Sequence, residues 1–238
     1  MKTAIPGIVI GAIVIGVGIY YASYRSPVAT TPPLSLSTTT LQTLRDPLLI
    51  TTVEKKEIKN EREYTSSLPV IIGAPTLSIA ISEYINETNK EFNEMEYPTP
   101  RNNERMYEMV YRFEVIRNDA EYTTLVINSY MFTGGARGLP TFRIFTYNRV
   151  TDSFVSHDNI LAQYAKTNLE NDVYNFIIKK YASNSNDRIL FEDAIVREGV
   201  RDVINTVGNV GIGIQGVYVR FPVYSIAPYS TGEIIVEL

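Results

Sequence analysis

The 238-residue chain has no Cys, no Trp and one His, which excludes disulfides, thiol nucleophiles and zinc sites of Cys/His type. Its 22 Lys+Arg against 26 Asp+Glu give a net charge of -4, the wrong sign for a surface that follows nucleic-acid phosphates. A hydrophobic content of 45% is that of a globular protein and argues against general disorder.

Residues 1–3 form a short N-terminal piece, expected to be cytoplasmic, before a run of 21 uncharged residues from Ala4 to Tyr24. As a helix this run spans roughly 31 Å, about the thickness of a hydrocarbon core. Tyr20, Tyr21 and Tyr24 gather at its far end like an aromatic belt, and Arg25 closes it. A cleaved signal peptide is the rival reading. Its apolar stretch is typically shorter, about 7–15 residues, with small residues before the cut, so a retained single-pass anchor is favoured. Lys2 places the amino terminus inside and the rest outside the cytoplasm. Gly7 and Gly11 form a GxxxG pattern that could pair helices into a homodimer, although small residues are common in membrane helices. Residues 25–43 are rich in Ser, Thr and Pro and read as an extended tether. Without residues 1–24 the remainder carries a net charge of -5, which suits a basic partner.

From residue 44 to 238 the composition is that of one extracytoplasmic domain. Leu48–Tyr64 reads as an edge strand or two short strands, and Leu68–Gly73 as a separate short strand. Leu77, Ile81, Tyr84, Ile85, Thr88, Phe92 and Met95 recur at helical spacing before Pro98 and Pro100. Met106–Ile116 and Tyr122–Phe132 are strands joined by a turn at Arg117–Ala120, and Phe142–Tyr147 is a third. A second helix is expected over Leu161–Tyr181 and a shorter one around Glu192–Ile204. Val210–Ile214, Val217–Phe221 and Glu233–Leu238 complete the strands. The expected class is α+β: a mostly antiparallel sheet with two main helices and a lesser third, preceded by one transmembrane helix.

Little in the chain points to catalysis. A Ser-His-Asp triad would have to use His157, between Ser156 and Asp158 and near Ser153, but no Gly-x-Ser-x-Gly elbow accompanies it. A surface or capping histidine is the better reading. Glu87, Glu91 and Glu94 follow one helical face, where solvation is the usual role, and no Asp-rich loop has metal-ligand spacing. No cofactor is expected. Two patterns stand out instead. Thr133-Gly134-Gly135-Ala136-Arg137-Gly138 follows a strong strand, and its paired glycines could turn backbone N–H groups toward an anion beside Arg137. A tight connection leaving the strand is the plainer alternative. Tyr224-Ser225-Ile226-Ala227-Pro228-Tyr229-Ser230-Thr231-Gly232 is a rigid turn whose two tyrosines are expected to pack.

Together the two patterns resemble a bacterial extracytoplasmic domain family that includes the sensing domain of the anti-sigma factor RsiV and the N-terminal region of the peptidoglycan deacetylase PdaC. The family's strand ending in Thr-Gly-Gly-Ala-His-Gly is matched at 133–138, with Arg137 in place of His. Its Tyr-x-x-Ala-Pro-Tyr-x-x-Gly segment is matched at 224–232. The resemblance covers about residues 50–238 and is fainter in the first half. It implies a non-catalytic binding module of the cell envelope whose partner is a lysozyme-like hydrolase or a wall glycan. The candidate ligand-binding residues are Thr133, Gly134, Gly135, Arg137 and Tyr229. A carboxylate-dependent cell-wall glycan enzyme and a structural partner in an envelope complex are the alternatives. The deacetylase domain of PdaC and the cytoplasmic segment of RsiV have no counterpart in these 238 residues.

Overall fold

The computed structural model describes residues 46–59, 62–95, 107–134, 137–164, 166–181 and 190–238. The expected membrane span 4–24 with its Gly7 and Gly11, the tether 25–43, the domain start at 44 and Gly135 lie outside them. No helix among the described residues is long and apolar enough to cross a membrane.

The architecture is mixed α+β, with nine strands in two sheets and four α-helices among the described residues. In the first sheet β1 (Leu49–Lys59), β2 (Arg62–Ile72), β3 (Tyr107–Asn118), β4 (Tyr122–Phe132), β5 (Leu139–Asn148) and β6 (Ser153–Phe154) lie side by side in chain order. Neighbours are antiparallel except β2 and β3, which run parallel because α1 (Pro75–Glu94) carries the chain back between them. The sheet is mostly antiparallel, as expected, with β2–β3 as its parallel pairing, but the described strands divide between two sheets and not one. The expected break between residues 64 and 68 is also absent. Arg62–Ile72 is one strand, and β1 and β2 make a long hairpin.

Pro75 starts α1 at a position where a missing N–H costs nothing. Leu77, Ile81, Thr88 and Phe92 then bury one stripe against Met109, Tyr111, Leu125, Ile127 and Phe145. Each large apolar side chain so buried contributes about 1.5–3 kcal/mol before entropy is subtracted. The Tyr111 hydroxyl donates to Asn89 Oδ1 at 3.0 Å, tying the helix to the sheet. Burial pushes that phenol well above its ordinary pKa.

The second core lies under the C-terminal half. α2 (His157–Gln163), α3 (Lys166–Tyr181) and α4 (Asp193–Asn205) pack on β7 (Val210–Ile212), β8 (Val217–Phe221) and β9 (Ile234–Glu237), a separate three-stranded sheet. The single helix expected over Leu161–Tyr181 is thus two, since the Tyr164 N–H turns back to the Leu161 carbonyl at 3.2 Å and ends α2. The two sheets meet at β4 and β5, where Thr124 Oγ1 donates to the Ile212 carbonyl at 2.7 Å. Residues 123–127 of β4 are therefore buried on both faces. Its second half is covered on one face only, and the open face forms the floor described below.

At the β3–β4 turn Asp119 accepts from the backbone N–H groups of Glu121 and Tyr122, each at 2.8 Å, and from Arg117 Nε at 2.6 Å. Partial burial pulls its carboxyl up, but the hydrogen bonds from Tyr122, Arg117 and Glu121 outweigh that and hold it below its ordinary value. A depressed folded pKa stabilises above the ordinary carboxylate range near pH 4, and the gain is lost as pH falls through the folded value. Asp119→Ala should cost about 1 kcal/mol at pH 7. Urea titrations should show that difference shrinking as pH falls below the ordinary carboxylate range and through the folded value.

Candidate functional site

The two sequence patterns meet in space. Thr133 leaves the end of β4, and Gly134 adopts φ +89, a left-handed conformation in which a side chain would be strained. Beyond the two undescribed residues, Arg137 is exposed and sets its guanidinium over the Tyr229 ring, 4.9 Å from the centroid. Tyr229 in turn lies 5.4 Å from Tyr224, the rings tilted by 43°. Arg137 and Tyr229 are thereby brought together, whereas Thr133 and Gly134 lie at the strand end near Tyr107. Gly135 is outside the described residues, so the anion cradle expected of the paired glycines has no described geometry.

Tyr224 corrects the expectation that both tyrosines pack. It is 60% exposed and carries φ +69, a conformation that bulky residues rarely adopt. Its backbone is held by its neighbours. Ile226 and Ala227 are buried in the second core, and the Ile226 carbonyl accepts from the Phe191 N–H at 3.0 Å. Ser225 closes a turn onto the Pro222 carbonyl through both its N–H and its hydroxyl. Buried apolar residues in the middle of the segment thus display the two aromatic rings at its ends. Strain of this kind recurs at ligand-binding positions.

This rim adjoins a groove. The Tyr130 ring crowds Gly138, where a Cβ would come within 2.2 Å of it, so a side chain there would displace the ring. Tyr130 also lines a groove of about 620 Å³ over the open face of β3, β4 and β5. At its wall Arg220 is only 5% exposed and is gripped by Glu233, with Nε–Oε2 at 3.0 Å and a second, shorter contact from Nη2. Glu114 joins at 3.4 Å and also accepts from Asn128 Nδ2 at 2.7 Å, while Arg220 stacks over Phe142. On the same strand the Tyr218 hydroxyl is shut from solvent and has no hydrogen-bond partner among the described residues. Burial raises its pKa. These residues escaped the sequence reading, although a charged residue inside the apolar run Val217–Phe221 was a visible signal.

His157 is only partly at the surface and is not the cap of α2. Ser156 caps α2, its hydroxyl accepting from the Asn159 N–H at 3.2 Å. His157 is half-buried, and both ring nitrogens are closed off without a hydrogen-bond partner among the described residues. Glu87, Glu91 and Glu94 are exposed along α1, as solvated carboxylates are.

No family model matches the chain, and no curated protein matches it. Among solved structures, a DUF3298 family protein from Pseudomonas aeruginosa is similar with a TM-score of 0.58 and 16% identity, over 82% of this chain and 91% of that one. A DUF3298 family member from Bacteroides fragilis gives 0.55 and 14%, over 80% and 90%. At such identities the likeness is one of fold, and the fold of this chain is that of DUF3298 family proteins.

Proposed function

We propose that the chain is a non-catalytic binding module of the cell envelope, held on its apolar segment 4–24 with the folded domain outside the cytoplasm. The partner is a lysozyme-like hydrolase or a wall glycan, and the Arg137–Tyr229–Tyr224 stack is the contact surface. The observation that carries this reading is that two distant segments converge to display a cation and two aromatic rings on a braced backbone. Tyr and Arg dominate binding energy at protein interfaces, and pre-set rings lose little entropy on docking. The acidic balance of residues 25–238 suits a basic partner such as lysozyme. The resemblance of residues 133–138 and 224–232 to RsiV- and PdaC-type domains supports the same class of ligand.

The glycan-enzyme reading would rest on Glu114 and Glu233 in the groove. Both are engaged by Arg220, an arrangement suited to fixed hydrogen bonding more than to moving a proton. Binding is therefore preferred.

Calorimetry of the full-length protein with lysozyme, at low and moderate salt, tests the proposal. Arg137→Ala should weaken binding by about 1–2 kcal/mol. Its stability should change by less than about 0.5 kcal/mol, because the side chain is exposed. Equal affinities would remove Arg137 from the surface. No binding by either protein would discard lysozyme, and wall glycan would be the next ligand to titrate.

A further inference from the structure

β2 follows β3 only from Arg62↔Tyr107 to Ser66↔Tyr111 and then peels away. Its departure opens a second cavity of about 610 Å³ between β1, β2 and β3, beside the groove already described. The two cavities share Val110, Arg112 and Phe113, so Arg112 is the one charged residue that lines both. Arg112 is exposed and has no ion pair or hydrogen bond among the described residues. The other groove arginine, Arg220, is buried and occupied.

The two sides differ in chemistry. The groove is rich in acceptors, with Glu108, Glu114 and Glu233 beside the ring of Tyr130. The second cavity has one carboxylate in its lining, Glu54, and otherwise offers donors: the hydroxyls of Thr65, Ser66 and Ser67 and the ammonium groups of Lys55 and Lys56. Those ammonium groups pair with Glu57 at 2.6 Å and Glu63 at 2.7 Å, but both lysines are over 60% exposed, and exposed pairs exchange partners at little cost. Acceptors next to an aromatic ring, two of them on β3, suit a ligand bearing hydroxyl and amide N–H groups. A guanidinium at the junction, backed by hydroxyls and ammonium groups, suits a planar anion.

We propose that this double cavity is a binding site for an acidic saccharide. Its neutral, hydroxyl-bearing ring lies in the groove over β3–β5, and its carboxylate reaches Arg112 at the opening toward β2. The proposal rests on the wall-facing reading given above and supplies a glycan site for it, but it does not use Arg137. Specificity comes from the split polarity. A ligand with the carboxylate would bind, and its neutral analogue would lack the Arg112 contact and leave the guanidinium unmatched.

The probes are two disaccharides that differ in one group: N-acetylglucosamine linked to N-acetylmuramic acid, and neutral diacetylchitobiose. Each is titrated into the full-length protein by calorimetry. The acidic disaccharide should bind at least about tenfold more tightly than the neutral one. Arg112→Gln should abolish that preference without changing the melting temperature, whereas Arg137→Ala should leave it intact. Equal affinity of the wild type for the two probes overturns the proposal, as does a preference that survives Arg112→Gln. Loss through Arg137→Ala alone would place the sugar at the rim, which also overturns the groove site while sparing the binding-module reading. Lysozyme binding without any disaccharide binding does the same.

Discussion

Gly199→Val should destabilise the domain by at least about 3 kcal/mol, the upper range for overpacking, although helix propensity favours the substitution. Gly199 lies on the buried face of α4. A Cβ there would stand 2.5 Å from the Ser225 carbonyl oxygen and 2.6 Å from Ile226 Cγ2. The first of these is backbone, so no rotamer change can relieve the clash. Even alanine, preferred over glycine inside a helix by about 1 kcal/mol, should cost about 2 kcal/mol net. At this chain length the alanine loss corresponds to roughly 4–8 °C in melting temperature. The effect should also reach the rim, because Ser225 and Ile226 brace the segment that displays Tyr224 and Tyr229. Under the proposed function, lysozyme affinity should therefore fall in Gly199→Ala under conditions where the variant is still folded. A melting temperature equal to or above wild type would mean that α4 moves away from the 224–232 segment at no cost.

The parts of the fold legible in the sequence are those where one physical signal dominates. β4 was read to its ends, because Tyr122–Phe132 is an unbroken β-prone run between a turn and a glycine pair. The buried stripe of α1 was equally clear from Leu77, Ile81, Thr88 and Phe92. Polar strands were harder. Residues 65–67 of β2 are half-exposed and lack an apolar signal, yet backbone pairing within the sheet holds them extended. The break between α2 and α3 was hidden because the apolar residues on its two sides face the same core and imitate one periodic helix.

The candidate site divides along the same line. Arg137 and Tyr229 were legible as members of unusual glycine- and proline-containing patterns, but their contact depends on how the second sheet is laid against the first. Tyr224 was read as packed because a large ring is usually buried, whereas here the neighbouring Ile226 and Ala227 occupy the core in its place. The groove was invisible. Its floor is the polar face of β3, alternating residues such as Arg112 and Glu114 that resemble any solvated strand, and its wall comes from β8 and Glu233, far along the chain.

Arg220→Met should cost about 3 kcal/mol, the low end of what breaking a buried ion pair costs. The side chain is 5% exposed, and two carboxylates and the Phe142 ring surround its guanidinium. Methionine fills much of the same volume, so the loss comes mainly from the acids left behind. Glu233, at 26% exposure, stays largely desolvated with its charge unmatched, while Glu114, at 48%, can turn to water and retains Asn128. That asymmetry makes Glu233 the expensive orphan. Removing its charge as well, in Arg220→Met/Glu233→Gln, should return about half of the loss or more, since replacing both partners of a buried pair is often near neutral. Lysine is not a conservative substitute either. It keeps the charge but has no planar fork to meet Glu233 through two nitrogens, so Arg220→Lys should fall between wild type and methionine. Urea unfolding of wild type, Arg220→Met, Glu233→Gln and the double variant gives the coupling directly as a double-mutant cycle. If Arg220→Met costs the same with and without Glu233→Gln, the two groups are not coupled, and Arg220 acts through its packing on Phe142 alone.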